Sequence, residues 1–487
     1  MIVTVKIDID NRNLESFADL EEFGTRTGHK LGQAIIQAGL EMKDQQLMAS
    51  RDSKRYRDKG PRKTCIKTTC GTVEYSRRVY VDKQAQAGEK KTVYLLDEIM
   101  GIAKIGNFSE GYCKLAASSI CKTPYRGSAE QLTEQTGQEI SAQGVWNIIQ
   151  KLGQSEQDRA ERNAKLAKES QGVGEIETKL LYEENDGIFL KLQGKARKRY
   201  GRSKEMKVGI AYDGVLWKIG KTGKKRRILN NKIAYAGFKN AKKFQKNKEG
   251  LIASRYKVDE IELRVINGDG ANWIQKEKKK NTIKVLDEFH RNKRIRECVK
   301  DPKKARLIRD ALYEMETDEF MEYLQIAVET VVDETEKADL QELYDYYDKN
   351  RQSMSGYYER GIEIPETREP GVLHHARLGS MESNIFTLIG NRMKGRRMNW
   401  SIEGANNLAS ILCAYHTTGM ESLFAAMPKQ PEEIEEWIDD IDPLKSWENP
   451  LAIGSGYEYP TGVSTQGNAY WLRDIAKIGG IEGLKLM

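Results

Sequence analysis

Residues 180–192 read LLYEENDGIFLKL, a strand-like run with Asp186 near its middle. Two other segments share its logic. Residues 261–270, IELRVINGDG, form an apolar run that closes on Asp269. Residues 380–391, SMESNIFTLIGN, have helical character and put Glu382 in the opening turn. Strand-like runs also cover 206–217, 232–238 and 283–290, the last reading IKVLDEFH. Strands followed by helical segments predict an α/β core. Three carboxylates this far apart in sequence, at strand ends and on a packed helix, suggest a site assembled by folding. Carboxylate oxygens suit hard cations such as Mg²⁺, and paired ions clamp the attacking and leaving oxygens of a phosphoryl transfer. The same residues have plainer readings. Asp186–Gly187, Asp213–Gly214 and Asp269–Gly270 are all turn-forming pairs. Asp213, inside AYDG, rivals Asp186 as the first acid. Asp287 and His290, three apart in DEFHRNK, read equally as a helix cap with a packed imidazole or as groups that bind a metal or phosphate. His374 and His375, just before Glu382, read as loop residues rather than ligands.

The chain has 487 residues, with 80 Lys and Arg against 72 Asp and Glu, a formal net charge of +8. That length supports two to four domains and a sizeable core. The excess is modest, so local clustering matters more than the total. No apolar run approaches a membrane span, and MIVTVKIDIDNRNLESF lacks the order of a signal peptide. Six cysteines without a CxxC pair predict reduced thiols in a cytoplasmic protein.

Basic clusters come next. Residues 14–50 repeat apolar side chains at helical spacing, and 51–67, RDSKRYRDKGPRKTCIK, run into a β-hairpin expected to turn near Cys70–Gly71. Arg55, Arg62 and Lys63 on that hairpin are candidate phosphate ligands. In 126–153 a Ser128/Gln131 capping box, a break at Gly137 and a cap at Ser141 spell helix-turn-helix. Its exposed positions Gln143, Asn147, Gln150 and Lys151 are the natural readers, with plain helix packing as the alternative. The polar stretch 154–176 predicts a domain boundary. Lys224, Lys225, Arg226 and Arg227 form a dense patch within 218–232. Residues 300–360 are charged and helical, an insertion. The Glu382 helix is expected to continue through Met393 to Ala414, carrying Arg392, Lys394, Arg396 and Arg397 as phosphate-binding cations. Trp273 and Trp400 flank the acids, as core residues or as platforms for an unpaired base.

At this point a resemblance becomes visible. KGPRKTCIKTTCGTVEYSRRVY, VYLLDE, EENDGIFLKLQGK, EMKVGIAYDG, AGFKNAKKF, INGDGANWI, LDEFHRNK and GSMESNIFTLIGNRMKGRRMNWS, in that order, resemble the bacterial insertion-sequence transposases of the Lre-2 group. That group is similar to the Mutator-type transposases. The resemblance spans roughly residues 10–425. It implies an RNase H-like mixed sheet with a helical insertion, joined to a mainly helical N-terminal DNA-binding region with a β-hairpin. It implies a DDE triad of Asp186, Asp269 and Glu382 holding two Mg²⁺ ions, with Mn²⁺ as a substitute. Asp287 and His290 are the implied accessory pair. The expected partners are double-stranded DNA, as terminal inverted repeats and target, and further copies of the chain, at least a dimer on DNA, with no membrane. The expected location is the cytoplasm of a bacterium, on the nucleoid. The domains expected are 1–95 (basic, helix plus hairpin), 96–160 (helical, with helix-turn-helix), 175–299 (first part of the core), 300–372 (helical insertion), 373–425 (final acidic helix) and a tail, 426–487. The alternatives are a transposase-derived DNA-binding regulator without catalysis, and a Mg²⁺-dependent nuclease that does not join strands.

Overall fold

The computed structural model describes residues 7, 9, 15–86, 91–102, 106–169, 174–220, 222–275, 281–365, 378–395 and 398–425. Strands β1 (Tyr56–Thr68) and β2 (Gly71–Asp82) form the expected hairpin, and β3 (Thr92–Val93) pairs with β2. The turn falls at Thr69–Cys70. Gly71 has φ +107°, a conformation that glycine adopts without a Cβ penalty. A 34-residue helix, Phe17–Ser50, lies on the hairpin. Ser16 and Asp19 cap it reciprocally, which satisfies two of its free amides. Gln33 donates to the Cys70 carbonyl at 2.8 Å, and Asp44 accepts from the Arg78 amide at 2.9 Å.

After two helices at Leu95–Met100 and Glu110–Ile120, the two helices of the expected helix-turn-helix differ from expectation at their ends. The first, Tyr125–Thr136, starts three residues before the expected cap, so Ser128 is buried inside it, sharing a hydrogen bond with Thr123. Gly137 ends it in the left-handed conformation, as expected. The second helix is capped by Ser141 but runs from Ala142 to Lys168. The polar stretch expected to be a boundary is thus helical through most of its length. It is held by polar bonds: Gln157 bonds Asn407, and Asn407 donates to Gln150 at 2.7 Å. Gly153 allows this closeness, because a Cβ there would lie 2.4 Å from the Asn407 carbonyl.

The core sheet contains β4 (Leu180–Lys191), β5 (Ser203–Tyr212), β8 (Ile233–Gly237), β9 (Leu263–Gly268) and β10 (Thr282–Leu286), in the order β10-β9-β4-β5-β8. β4 runs antiparallel to β5 and parallel to β9, and β9 is parallel to β10. The fold is therefore mixed α/β. The run expected at 206–217 is divided. Its second part, β6 (Val215–Ile219), pairs with β7 (Lys225–Leu229), so the 224–227 cations ride on a separate hairpin. One sheet face packs on the helices Ala241–Ala253 and Ala142–Lys168, and the other on Met381–Ile385 and Ile402–His416. The insertion is helical as expected: Pro302–Glu314, Thr317–Thr330, Glu334–Lys349 and Arg351–Met354 enclose their own core around Phe320, Leu343 and Tyr347.

The Glu382 helix is short. Met381–Ile385 passes into a wide π turn at Phe386–Gly390 and a last turn at Asn391–Met393, and a separate helix, Ile402–His416, follows. It does not run on to Ala414. Arg396, Arg397, His374, His375 and the 426–487 tail lie outside the described residues. All six cysteines are free, and no described helix is long and apolar enough to cross a membrane.

Candidate active site

Parallel pairing sets the level of the acids. Asn185 of β4 faces Gly268 of β9, so Asp186 and Asp269 leave the ladder side by side. Leu286 of β10 faces Gly268 as well, and the next residue is Asp287. Three carboxylates thus meet at the edge where parallel strands end, a usual place for ligand sites in such sheets. Asp287 caps the helix Glu288–Cys298 by accepting from the His290 amide at 3.2 Å. It also takes the His290 Nδ1 at 3.0 Å, which turns Nε2 toward Asp186, 3.8 Å from Oδ2. Cap and site residue are therefore one arrangement, since the cap bond aims the imidazole.

Burial pushes the Asp186 carboxyl up to about 6. His290 and the Gly187 amide oppose that shift, and the Asp269 and Asp287 charges add to it. Burial alone would lower the His290 imidazole, but the Asp287 hydrogen bond and the Asp186, Asp287 and Asp269 charges carry it above its usual value. Burial pushes Asp287 up, yet the hydrogen bonds from His290 and Asn267 leave it lowered overall. Asp269 accepts from the Ala271 amide at 2.9 Å, and its carbonyl takes the Tyr346 hydroxyl at 3.1 Å, tying the insertion to the acid edge.

Beneath the acids lies a group that sequence reasoning did not single out. Glu184 is fully buried on β4, on the same face as Asp186. Its carboxylate accepts from the Tyr212 hydroxyl at 2.7 Å, from Asn267 at 3.1 Å, and from the Gly379 and Ser380 amides at 3.0 Å each. Asn267 also donates to Asp287 at 2.9 Å. Glu184 therefore fastens the start of the Glu382 helix to the strands bearing Asp186 and Asp269. The signal was present in EEND, where a period of two puts Glu184 and Asp186 on one face.

Glu382 sits exposed in the first turn of its helix, with no bond to the other acids among the described residues. Also among the described residues, no three acid, histidine or cysteine side chains form a ready-made metal cage. Asp213 does not take the first acid's place beside Asp269, which Asp186 occupies. It follows β5 five residues past Val208, the residue opposite Asp186, which is about 17 Å at a strand's rise. There it accepts from Asn231 at 2.8 Å.

The candidate DNA-binding side chains divide. Arg62, Lys63, Lys224, Lys225, Arg226 and Lys394 are exposed, and Arg227 is half-buried. Arg55 is tied to Asp82 at 2.8 Å. Gln143 and Asn147 are exposed and bonded to each other at 3.0 Å, whereas Gln150 is turned inward to Asn407 and Lys151 is half-buried. Arg392 does not face solvent: it is buried, donates to the Ile120 carbonyl at 2.6 Å, and lies over the Tyr125 and Trp400 rings. Trp400 is a core residue whose indole donates to the Met393 carbonyl at 2.9 Å. Trp273 is half-buried, edge-on to Phe244, with the Lys207 ammonium 5.6 Å from its ring.

A family model described as "Uncharacterised protein family (UPF0236)" matches residues 11–429. The chain belongs to the UPF0236 family. Its relatives include UPF0236 protein TTE0610/TTE0881/TTE1053/TTE2432 of Caldanaerobacter subterraneus subsp. tengcongensis, 26% identical over 78% of this chain and 74% of the relative. UPF0236 protein TTE0402 of the same bacterium is 27% identical over 78% of this chain and 70% of the relative. A third, also 26% identical over 78% of this chain and 74% of its own length, bears eleven locus labels of that bacterium. The UPF0236 match takes in the hairpin, the whole core sheet, the insertion and all three candidate acids.

Proposed function

We propose that this UPF0236 protein is a DNA transposase of the DDE class, resembling the Lre-2 insertion-sequence group, with an RNase H-like core. The observation that carries the reading is the meeting of Asp186, Asp269, Asp287 and His290 at one strand-terminal edge, with Asp186 pushed up to about 6. The strand order supports the fold reading: three antiparallel strands, then two strands parallel to the first, with a helical insertion before the final acid. Relatives bearing several locus labels in one genome support a gene that multiplies as mobile elements do.

A carboxyl that burial, with a lesser push from the Asp269 and Asp287 charges, leaves prone to hold a proton fits a hard divalent cation, which would supply the lost stabilisation of its charge. Asp186, Asp269 and Glu382 would hold Mg²⁺, or Mn²⁺ in its place, and the ions when bound supply charge stabilisation at the reacting phosphate. The chain's own residues orient and exclude. Asp287 holds His290 on Asp186, and Glu184 fixes the approach of the Glu382 helix. Water attacks the phosphodiester at the element's end and its bond to the 3′ oxygen breaks, freeing a 3′ hydroxyl; that hydroxyl then attacks a target phosphodiester, whose own 3′ oxygen leaves, so no protein nucleophile is required. The partner is double-stranded DNA at the element's ends and at the target, and the chain acts on DNA in more than one copy. Asp186→Asn, Asp269→Asn and Glu382→Gln are each expected to abolish Mg²⁺-dependent cleavage and strand transfer while DNA binding persists. Wild-type cleavage in any one of them removes that residue from the triad. Cleavage by the wild-type chain without strand transfer favours the nuclease reading, and neither activity favours a DNA-binding regulator.

A further inference from the structure

β4 and β5 are longer than the sheet they belong to. β9 pairs with β4 only as far as Asn185, and β8 pairs with β5 only from Lys207 onward. Beyond the level of the acids, Ile188–Lys191 and Ser203–Met206 therefore continue as a two-stranded arm with no strand on either side among the described residues. A short helix, Gly194–Tyr200, closes its tip. Residues 191–207 hold eight cations (Lys191, Lys195, Arg197, Lys198, Arg199, Arg202, Lys204 and Lys207) and one acid, Glu205, a net +7 when the whole chain carries +8.

Several cations of the core and insertion are paired with carboxylates: Arg264 with Glu183 and Glu249, Lys248 with Glu183, Arg294 with Glu342. None of the eight arm cations has a carboxylate partner among the described residues. Two frame the Tyr200 ring, Lys204 at 4.1 Å and Arg199 at 5.2 Å, which keeps them at the tip. Lys191, Arg197 and Arg202 line, with Asn399, an open cleft of about 470 Å³ at the arm's far end. That far end is itself fixed: Trp400 donates to the Lys191 carbonyl and Gln193 to the Trp400 carbonyl, each at 2.9 Å. A rigid, unpaired cation array leaving the edge that holds the acids is built for a polyanion lying across that edge.

We propose that this β4–β5 arm is a DNA-backbone site that grips duplex phosphates flanking the reacting one. The inference rests on the DNA reading for its ligand but not on catalysis. Each phosphate left without its cation lowers the slope of log affinity against log salt by about 0.9. Neutralising Lys195, Arg197, Lys198 and Arg199 together to Gln in the full chain should lower the slope by about two to four, on a generic duplex. The control is a Lys303/Lys304/Arg306/Arg309→Gln chain, which removes the same charge from the insertion's first helix and should leave the slope within one unit. Melting of both variants checks that they fold. Equal reductions in the two variants overturn the arm and assign the effect to net charge. An unchanged slope in a folded arm variant, with the wild type binding, overturns the arm alone. A wild-type chain that binds no duplex overturns both the arm and the proposed function.

Discussion

Removing the Glu184 carboxylate should loosen the candidate site from below. Four donors converge on it, but they are not equal. Gly379 is exposed, so water replaces its bond, and Asn267 retains Asp287. The Tyr212 hydroxyl and the Ser380 amide are buried, and among the described residues only Glu184 accepts from them. Stranding two buried donors at about 1–3 kcal/mol each gives about 2–6 kcal/mol for Glu184→Ala. Glu184→Gln is the shape-preserving comparison. Its carbonyl can serve Asn267, Gly379 and Ser380, and its amide can donate to a rotated Tyr212 hydroxyl, so the cost should be about 1 kcal/mol. Urea titration measures the global loss. Hydrogen exchange over 378–385 measures the local one, and a 2 kcal/mol opening speeds the Ser380 amide about thirtyfold. A Glu184→Ala chain as stable as wild type, with unchanged exchange at Ser380, would refute the claim that Glu184 fastens the Glu382 helix to β4.

Two further outcomes are expected. Burial pushes Glu156 up to about 7 despite Arg159, so the folded chain holds this proton more tightly than the unfolded one, and stability should fall as pH rises from about 4.5 through 7. The limit is about 3 kcal/mol at roughly 1.4 kcal/mol per pH unit, and Glu156→Gln should flatten the melting-temperature profile over that window, an unaltered profile counting against it. Arg392→Gln should cost about 2–3 kcal/mol in a denaturant titration, because the Ile120 bond and the stacking on two rings disappear, while leaving the salt dependence of DNA binding unchanged; a lowered slope would return Arg392 to the DNA surface.

Sequence reasoning succeeded where the local pattern was also the physical cause. The turn near Cys70–Gly71, the Ser141 cap, the break at Gly137, the strand ending on Asp269 and the Asp287 cap all follow from a few neighbouring residues, although the run expected over 283–290 stops as a strand at Leu286. It failed where a distant partner decides. Residues 154–168 look like a linker because they are polar, yet Glu156 and Gln157 are buried, and a glycine at 153 lets Asn407 approach. Arg392 looks like a phosphate ligand beside Lys394, but a π turn rotates it under Trp400. The 193–205 stretch lies between two strand-like runs and carries no reading of its own from sequence. Its meaning appears only when β9 and β8 are seen to stop short of it.

β4 explains why one strand bears so much of the site. Its side chains alternate between two differently covered faces. Leu181, Glu183 and Asn185 point to the side of the Ala241–Ala253 helix, where Lys248 bonds Glu183 at 2.7 Å and Asn185 at 2.9 Å. Tyr182, Glu184 and Asp186 point to the opposite side, toward Tyr357, Ser380 and His290. A slip of one residue would place Glu184 against Lys248 and leave the Ser380 amide facing an amide or another acid. Both buried carboxylates thus specify the register that sets Asp186 beside Asp269. The same register fixes where β4 outruns β9, and so where the cationic arm begins. Acid placement and arm placement are not separable features, and a substitution that shifts β4 should disturb the proposed DNA binding and the proposed cleavage together.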